Sequence, residues 1–407
     1  MRNALRINSQ SLCLFTGIMT MIHLLVLFPY EIYMALIFLL VVIDFIFLFR
    51  NKLRLDVQAR RYLSWYGLCV LYIIVSLAYT VNTINPDYVI KRVVVIFALG
   101  WLVARSVKNE RNFKALANGL ILGAGIVAIL AIATESGRLG IGRIGTRTVG
   151  SSVALSGVML VGFICSLWYL VFFHGKKTKY LITCCFLFLI MILTGSRRAI
   201  LLSLLFIPLL LLLNKDIDKS KKTMIFLVAI IVVLITGYIL IENEAFYSLV
   251  GWRFESMIQT MFWSDSSTMD ASMLERTIMR KYAIQLFKEK PIFGYGVHGF
   301  AYKFSFYYGK LLYSHAGFVE ILSCYGLVGF FIYYRGFILM FMDAIKIRRK
   351  MNRCHALLIA YVIMSFSTDM YTVSFISPQV VVMLTAGMTM LNAGKKNSSR
   401  MGRMLES

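Results

Sequence analysis

The sequence predicts an all-α polytopic integral membrane protein of about twelve transmembrane helices, with one large extracytoplasmic loop between the ninth and tenth. Three observations predict it. Hydrophobic residues fill 59% of the 407 positions and charged residues only 15%, against roughly 45–50% and 25% in a soluble domain. Apolar stretches of about 17–25 residues, long enough to cross a bilayer core, recur from end to end. Every second connection between them is rich in Lys and Arg, the mark of cytoplasmic loops.

Taken in order, the apolar stretches run from Leu12 to Phe28, Ile32 to Phe49, Ser64 to Thr80, Val89 to Ala104, Ala115 to Ala133, Val149 to Phe173, Tyr180 to Leu193, Ala199 to Leu213, Met224 to Ile241, Ala316 to Phe341, Ala356 to Thr368 and Val373 to Leu391. The first follows only Arg2 and Arg6 and lacks a small-residue cleavage site, so it is expected to be retained rather than removed as a signal peptide. The domain organisation expected is spans one to nine over 1–241, the large loop over 242–313, spans ten to twelve over 314–391 and a cytoplasmic tail over 392–407.

The basic connections include Arg50 to Arg61, Arg105 to Lys114, Lys176 to Lys179, Lys215 to Lys222, Lys346 to Arg353, and Lys395 to Arg403, whereas Val81 to Tyr88 carries no Lys or Arg. An even number of spans with both termini cytoplasmic satisfies this alternation. The formal net charge of +24 is mostly absorbed by orientation, so no nucleic-acid partner is implied. The seven cysteines lie mostly inside apolar runs and read as small hydrophobes, not as a disulfide frame or zinc site.

The loop from Glu242 to Tyr313 is where chemistry is expected. Its acidic, basic and aromatic side chains suit a folded cap better than a disordered linker. A helix is expected from Met273 to Lys290, with Ile278, Tyr282, Leu286 and Phe287 near one face, ended by Pro291 and followed by a turn at Gly294 and Gly296.

Basic residues that orientation does not explain fall in four clusters, all expected at the outer face. They are Lys91 and Arg92; Arg138, Arg143 and Arg147 in ESGRLGIGRIGTRTVGSS; Arg197 and Arg198 in TGSRRA; and Arg276, Arg280 and Lys281 in the large loop. Each is open to a bland reading, in which a long cation reaches lipid headgroups. A guanidinium is always charged and presents a planar fork, so Arg197 and Arg198, between two very apolar spans, suit a phosphate or diphosphate at headgroup level. Membrane lipids are partners on either reading.

Among five histidines, His298 in PIFGYGVHGF and His315 in YSHAGFVE lie on the outer side. His315 stands where the large loop meets the tenth span, at a level where its imidazole could accept a proton; a structural hydrogen-bonding role is the alternative. Glu320 would orient a helix end, pair with an arginine or contact a sugar hydroxyl. Asp369 is a further polar intrusion near the outer end of the eleventh span. The sequence holds no GxxxxGK[ST], HExxH, GxSxG or EF-hand pattern, so neither a nucleotide-driven motor nor a metal hydrolase is expected.

Three segments, TGSRRAILLSLL, RTIMRKYAIQLFKEKPIFGYGVHGF and SHAGFVEILSCYGLVGFFIYY, in this order and topology resemble the O-antigen polymerase and O-antigen ligase superfamily. The resemblance runs from Thr194 to Tyr334. It departs in Ala316, where many members carry Asn, and in Arg198, where many carry Gly.

The resemblance implies metal-independent transfer of a glycan from undecaprenyl diphosphate, without a cofactor, at the outer face of the bacterial cytoplasmic membrane. It aligns Arg197 and Arg276 with arginines that hold the diphosphate and gives His315 the acceptor hydroxyl; Arg198, Arg147, Arg143, Arg280, Glu320 and His298 are further candidate substrate contacts read from the residues themselves. It leaves three functions open: a polymerase of lipid-linked repeat units for capsule, exopolysaccharide or O-antigen; a ligase onto lipid A-core; and, from another class, a flippase or secondary transporter. A chain-length regulator and a flippase are the protein partners that the first would imply.

Overall fold

The computed structural model describes residues 8–50, 55–81, 87–139, 142–173, 175, 177–214, 217–244, 247, 251–252, 255–256, 259, 271–347, 351–369 and 375–405. Helix dominates these residues, and no strand occurs among them. Each of the twelve apolar stretches lies largely on a helix. Four described helices are both long and apolar enough to cross a membrane: Val57–Tyr79, Glu110–Arg138, Ser152–Phe172 and Gly317–Ile347. Others are shorter, such as Lys177–Leu193 and Arg197–Leu213 with 17 residues each, about 25 Å at 1.5 Å per residue.

Several boundaries differ from expectation, two of them at the ends of the chain. The first helix, Ser9–Ile22, stops well before Phe28, and the Val26 amide donates to the Thr148 carbonyl instead. The last, Pro378–Leu405, continues through the segment expected to be a tail. In the large loop the helix Ala271–Glu289 matches the expected one, and a second helix follows at Gly299–Tyr308. Residues 245–246, 248–250, 253–254, 257–258 and 260–270 of the expected cap lie outside the described residues.

The chain divides into two compact units that interleave along the sequence. The first comprises Met1–Tyr33, Arg111–Asp270 and Asn352–Ala360; the second comprises Met34–Glu110, Ala271–Met351 and Tyr361–Ser407.

In the first unit the helix Ser152–Phe172 is the core, with Leu155, Val158, Met159, Ile164, Cys165 and Trp168 fully buried. Small residues allow the helices to close on one another, as they do where lipid leaves no hydrophobic drive between helices. A Cβ on Gly17 would meet the Leu116–Gly119 backbone, and one on Gly162 would meet Ala124. Polar tips inside the unit find backbone partners. Trp168 donates to the Arg353 carbonyl at 2.8 Å, and Tyr33 donates to that of Met19 at 2.9 Å.

The second unit is built on aromatic packing. Trp65, Tyr62, Tyr66, Tyr333 and Phe337 are buried; Trp65 donates to the Tyr333 carbonyl at 2.8 Å, and Gly336 leaves room for its indole. Charge is matched at one end, where Arg61 pairs with Asp343 at 2.7 Å, Arg105 with Asp44 at 3.1 Å and Lys108 with Asp56 at 2.6 Å. Burial pushes the Asp56 carboxyl up, but Lys108, the Ala59 amide and Arg105 together hold it below the usual carboxylate range.

Candidate functional site

His315 sits in a turn that the sequence builds tightly. Its backbone is left-handed, with φ of 56°, a conformation costing a non-glycine residue about 1–2 kcal/mol. Hydrogen bonds on both sides hold it there. The Ser314 amide donates to the Glu320 carboxylate at 2.6 Å, the Ser314 hydroxyl donates to the Ala316 carbonyl at 2.9 Å, and the Gly317 amide donates to the Asp369 carbonyl at 2.6 Å. Glu320 and Asp369 are both buried. Cys324 donates its thiol to Glu320, and the Tyr334 hydroxyl donates to the Asp369 carboxylate. The Glu320 carboxylate thus ties down the turn that precedes the helix Gly317–Ile347. The His315 ring is half-buried, with its centroid 4.0 Å from that of Tyr313.

Beside this turn, the helix Ala271–Glu289 places Thr277, Arg280, Lys281 and Ile284 on one face. They line a cavity of about 600 Å³ whose opposite wall is Ala316, Phe318 and Val319. The helix forms because Met, Leu, Glu, Arg, Lys, Gln and Ala favour it. Arg276 lies one turn before Arg280, a like-charge spacing that costs a helix about 0.2–0.5 kcal/mol and that a bound anion relieves. Two cations thus stand beside an apolar wall in one cleft.

The expected turn after Pro291 is present, with Gly294 at φ 70° and Gly296 at φ 79°. Its partner was not legible in the sequence. The helix Gly317–Ile347 is interrupted at Gly326, at φ 64° and ψ −165°, a conformation essentially confined to glycine. The turn takes over the lost helical bonds. The Tyr295 and Gly296 amides donate to the Ser323 and Cys324 carbonyls at 3.0 and 2.7 Å, while the Leu327 and Val328 amides donate to those of Pro291 and Ile292 at 2.9 and 3.2 Å.

His298 has left-handed backbone, φ 57°, and precedes the helix Gly299–Tyr308. Its Nδ1 is buried without a hydrogen-bond partner, and burial holds its pKa below the ordinary imidazole value. The folded protein therefore binds this proton less readily than the unfolded chain, so stability falls as pH drops below about 6.5. His298→Asn, which tolerates the same backbone, is expected to flatten that acid-side loss in thermal unfolding between pH 7 and 5.

The other arginine candidates belong to the first unit. Arg143 Nε donates to the Thr194 carbonyl at 2.7 Å and the Ile144 amide to that of Leu193, so the glycine-rich loop is tied to the TGSRRA turn, where Arg197 and Arg198 are half-buried. Gly195 there has φ 62°. Arg147 is exposed, and Arg138 donates to Thr146 at 2.9 Å. Sequence reading passed over the buried Glu135, whose Oε1 accepts the amides of Gly145, Arg147 and Thr148 at 2.9–3.1 Å. A carboxylate opening a glycine-rich loop was the available signal. Among the described residues, no group of three or more His, Cys, Asp or Glu is placed to hold a metal ion.

A family model described as O-antigen ligase matches residues 182–334. The matched stretch is under half of the chain and includes Arg197, Arg198, Arg276, Arg280, His298, His315 and Glu320, whereas Arg143 and Arg147 lie outside it. No curated protein matches the chain. Residues 182–334 are similar to the O-antigen ligase family, and the match supports the resemblance to the O-antigen ligase/polymerase superfamily, whose members are membrane glycosyl-transferring enzymes.

Proposed function

We propose that this protein is a polymerase that joins undecaprenyl-diphosphate-linked oligosaccharide repeat units into a surface polysaccharide at the outer face of the bacterial cytoplasmic membrane. One observation carries the reading furthest: the Arg280 and Lys281 cleft with its apolar wall abuts the tightly held turn of His315. An acceptor-sugar hydroxyl attacks the anomeric carbon of the donor, and His315 takes its proton. The bond from that carbon to the diphosphate oxygen breaks, and undecaprenyl diphosphate leaves with both electrons. Arginine and lysine stabilise the charge that gathers on the leaving group, so no metal is required of the chemistry. Arg276 in the second unit and Arg197 and Arg198 in the first are proposed to bind anionic substrate groups. A flippase and a chain-length regulator are the protein partners this role implies.

Each charged hydrogen bond to phosphate is worth about 1.5–3 kcal/mol. Loss of one such bond in Arg280→Ala is accordingly expected to lower kcat/KM for the lipid-linked donor about 10- to 100-fold, read from initial rates in detergent.

A ligase would use the same groups on a lipid A-core acceptor, and a flippase would move the repeat unit without joining it. Deletion of the gene separates the transporter reading from the enzyme. A strain lacking the protein is expected to export single repeat units with no longer chains; a strain that exports none contradicts the polymerase reading.

A further inference from the structure

We infer that the turn at Pro291–Gly294 is a membrane-inserted element, whose Ile292 and Phe293 side chains meet lipid acyl chains at the boundary of the leaflet next to the loop. The helix on which it docks, Gly317–Ile347, has 31 residues and would be about 46 Å long if unbroken, well beyond a hydrocarbon core of about 30 Å. The turn bonded around Gly326 also meets the end of the candidate span Val57–Tyr79 through Tyr79, and so lies at the level where that span ends.

Two independent features of the turn suit lipid. The first is side-chain exposure. Ile292 and Phe293 are neighbours and each is 56% exposed, and Leu327 and Phe331 on the helix to which the turn is bonded and Ile74 and Val75 on Val57–Tyr79 are exposed too. The turn is joined to that second helix by the Tyr79 hydroxyl, which donates to the Phe293 carbonyl at 3.1 Å. The turn is thus hydrogen-bonded to two candidate membrane-spanning helices that themselves expose apolar side chains.

The second is backbone bonding. Non-helical backbone is tolerated at membrane depth only where its polar groups are paired. The carbonyls of Pro291, Ile292 and Phe293 each accept a hydrogen bond, and the Gly294 amide donates to Lys290 at 3.1 Å. Lys290, exposed and adjacent, carries its ammonium 4.7 Å from the Tyr295 ring centroid. The inference stands on this geometry and holds whichever reaction the protein performs.

The test places trifluoromethyl-phenylalanine at Phe293 in the full chain in nanodiscs. It compares relaxation of the fluorine by dissolved oxygen, which concentrates in lipid, with relaxation by a water-soluble nickel chelate. The same label at Phe331 supplies the lipid reference, and at the exposed Gln285 the aqueous one. The label at Phe293 is expected to be relaxed at least threefold more by oxygen than at Gln285 and to resemble Phe331. Nickel-dominated relaxation equal to that at Gln285 would overturn the inference. The near-isosteric substitution keeps the fold intact, and a melting temperature equal to the unlabelled protein's confirms that the turn is native.

Discussion

His315→Ala is expected to slow glycan transfer by about 10²–10⁴-fold, the usual contribution of a positioned general base, with little change in KM for the donor. The turn argues for such a role because the residue is held in left-handed backbone by bonds from Ser314 to Glu320 and from Gly317 to Asp369. Strain of this kind persists only where its surroundings over-determine it. The alternative, that the imidazole merely completes the turn, is separated by His315→Asn. Asparagine adopts the left-handed region readily and cannot act as a base near neutral pH. A base role predicts that both variants lose activity while melting like the wild type. Full activity in His315→Asn would reduce the histidine to a structural part.

The largest loss of stability is expected from Gly326→Ala. The new Cβ would collide with the Ile292 carbonyl, and the φ and ψ at this position are ones that side-chain-bearing residues avoid. Backbone strain alone costs about 1–3 kcal/mol, and relieving the collision would separate the helix from the turn and leave backbone groups at Ser323, Cys324, Leu327 and Val328 without their partners. A loss of about 3 kcal/mol or more is expected, seen as a lower midpoint in fluorescence-detected thermal unfolding in detergent. Gly157→Ala is the control. Its Cβ meets nothing within 4 Å on the helix Ser152–Phe172, so it is expected to be neutral or stabilising by up to about 1 kcal/mol.

Local signals were legible in the sequence where one segment decides its own structure. The helix Ala271–Glu289, its end before Pro291 and the positive φ of Gly294 and Gly296 follow from composition and from proline and glycine chemistry. The break at Gly326 does not. SCYGLVGFF reads as one apolar helix, because what stabilises the break is a turn some thirty residues earlier in the chain. Glu135 was missed for the same reason: its partners appear only when the loop folds back over it. The site was half-legible. Residue type singled out Arg280 and His315, whereas the apolar wall that makes a cleft of them, Ala316, Phe318 and Val319, looked like the first turn of a span.

The central claim, that this chain joins lipid-linked repeat units by stabilising a diphosphate leaving group, is tested most directly with purified protein in nanodiscs. The protein is given its undecaprenyl-diphosphate-linked repeat unit in the presence of EDTA, without lipid A-core, and the products are resolved as a gel ladder for wild type, Arg197→Ala, Arg276→Ala and His315→Ala. The account predicts a ladder from wild type that survives EDTA and is lost in all three folded variants. A folded wild type that makes no ladder from its native repeat unit, or a ladder that EDTA abolishes, would contradict it.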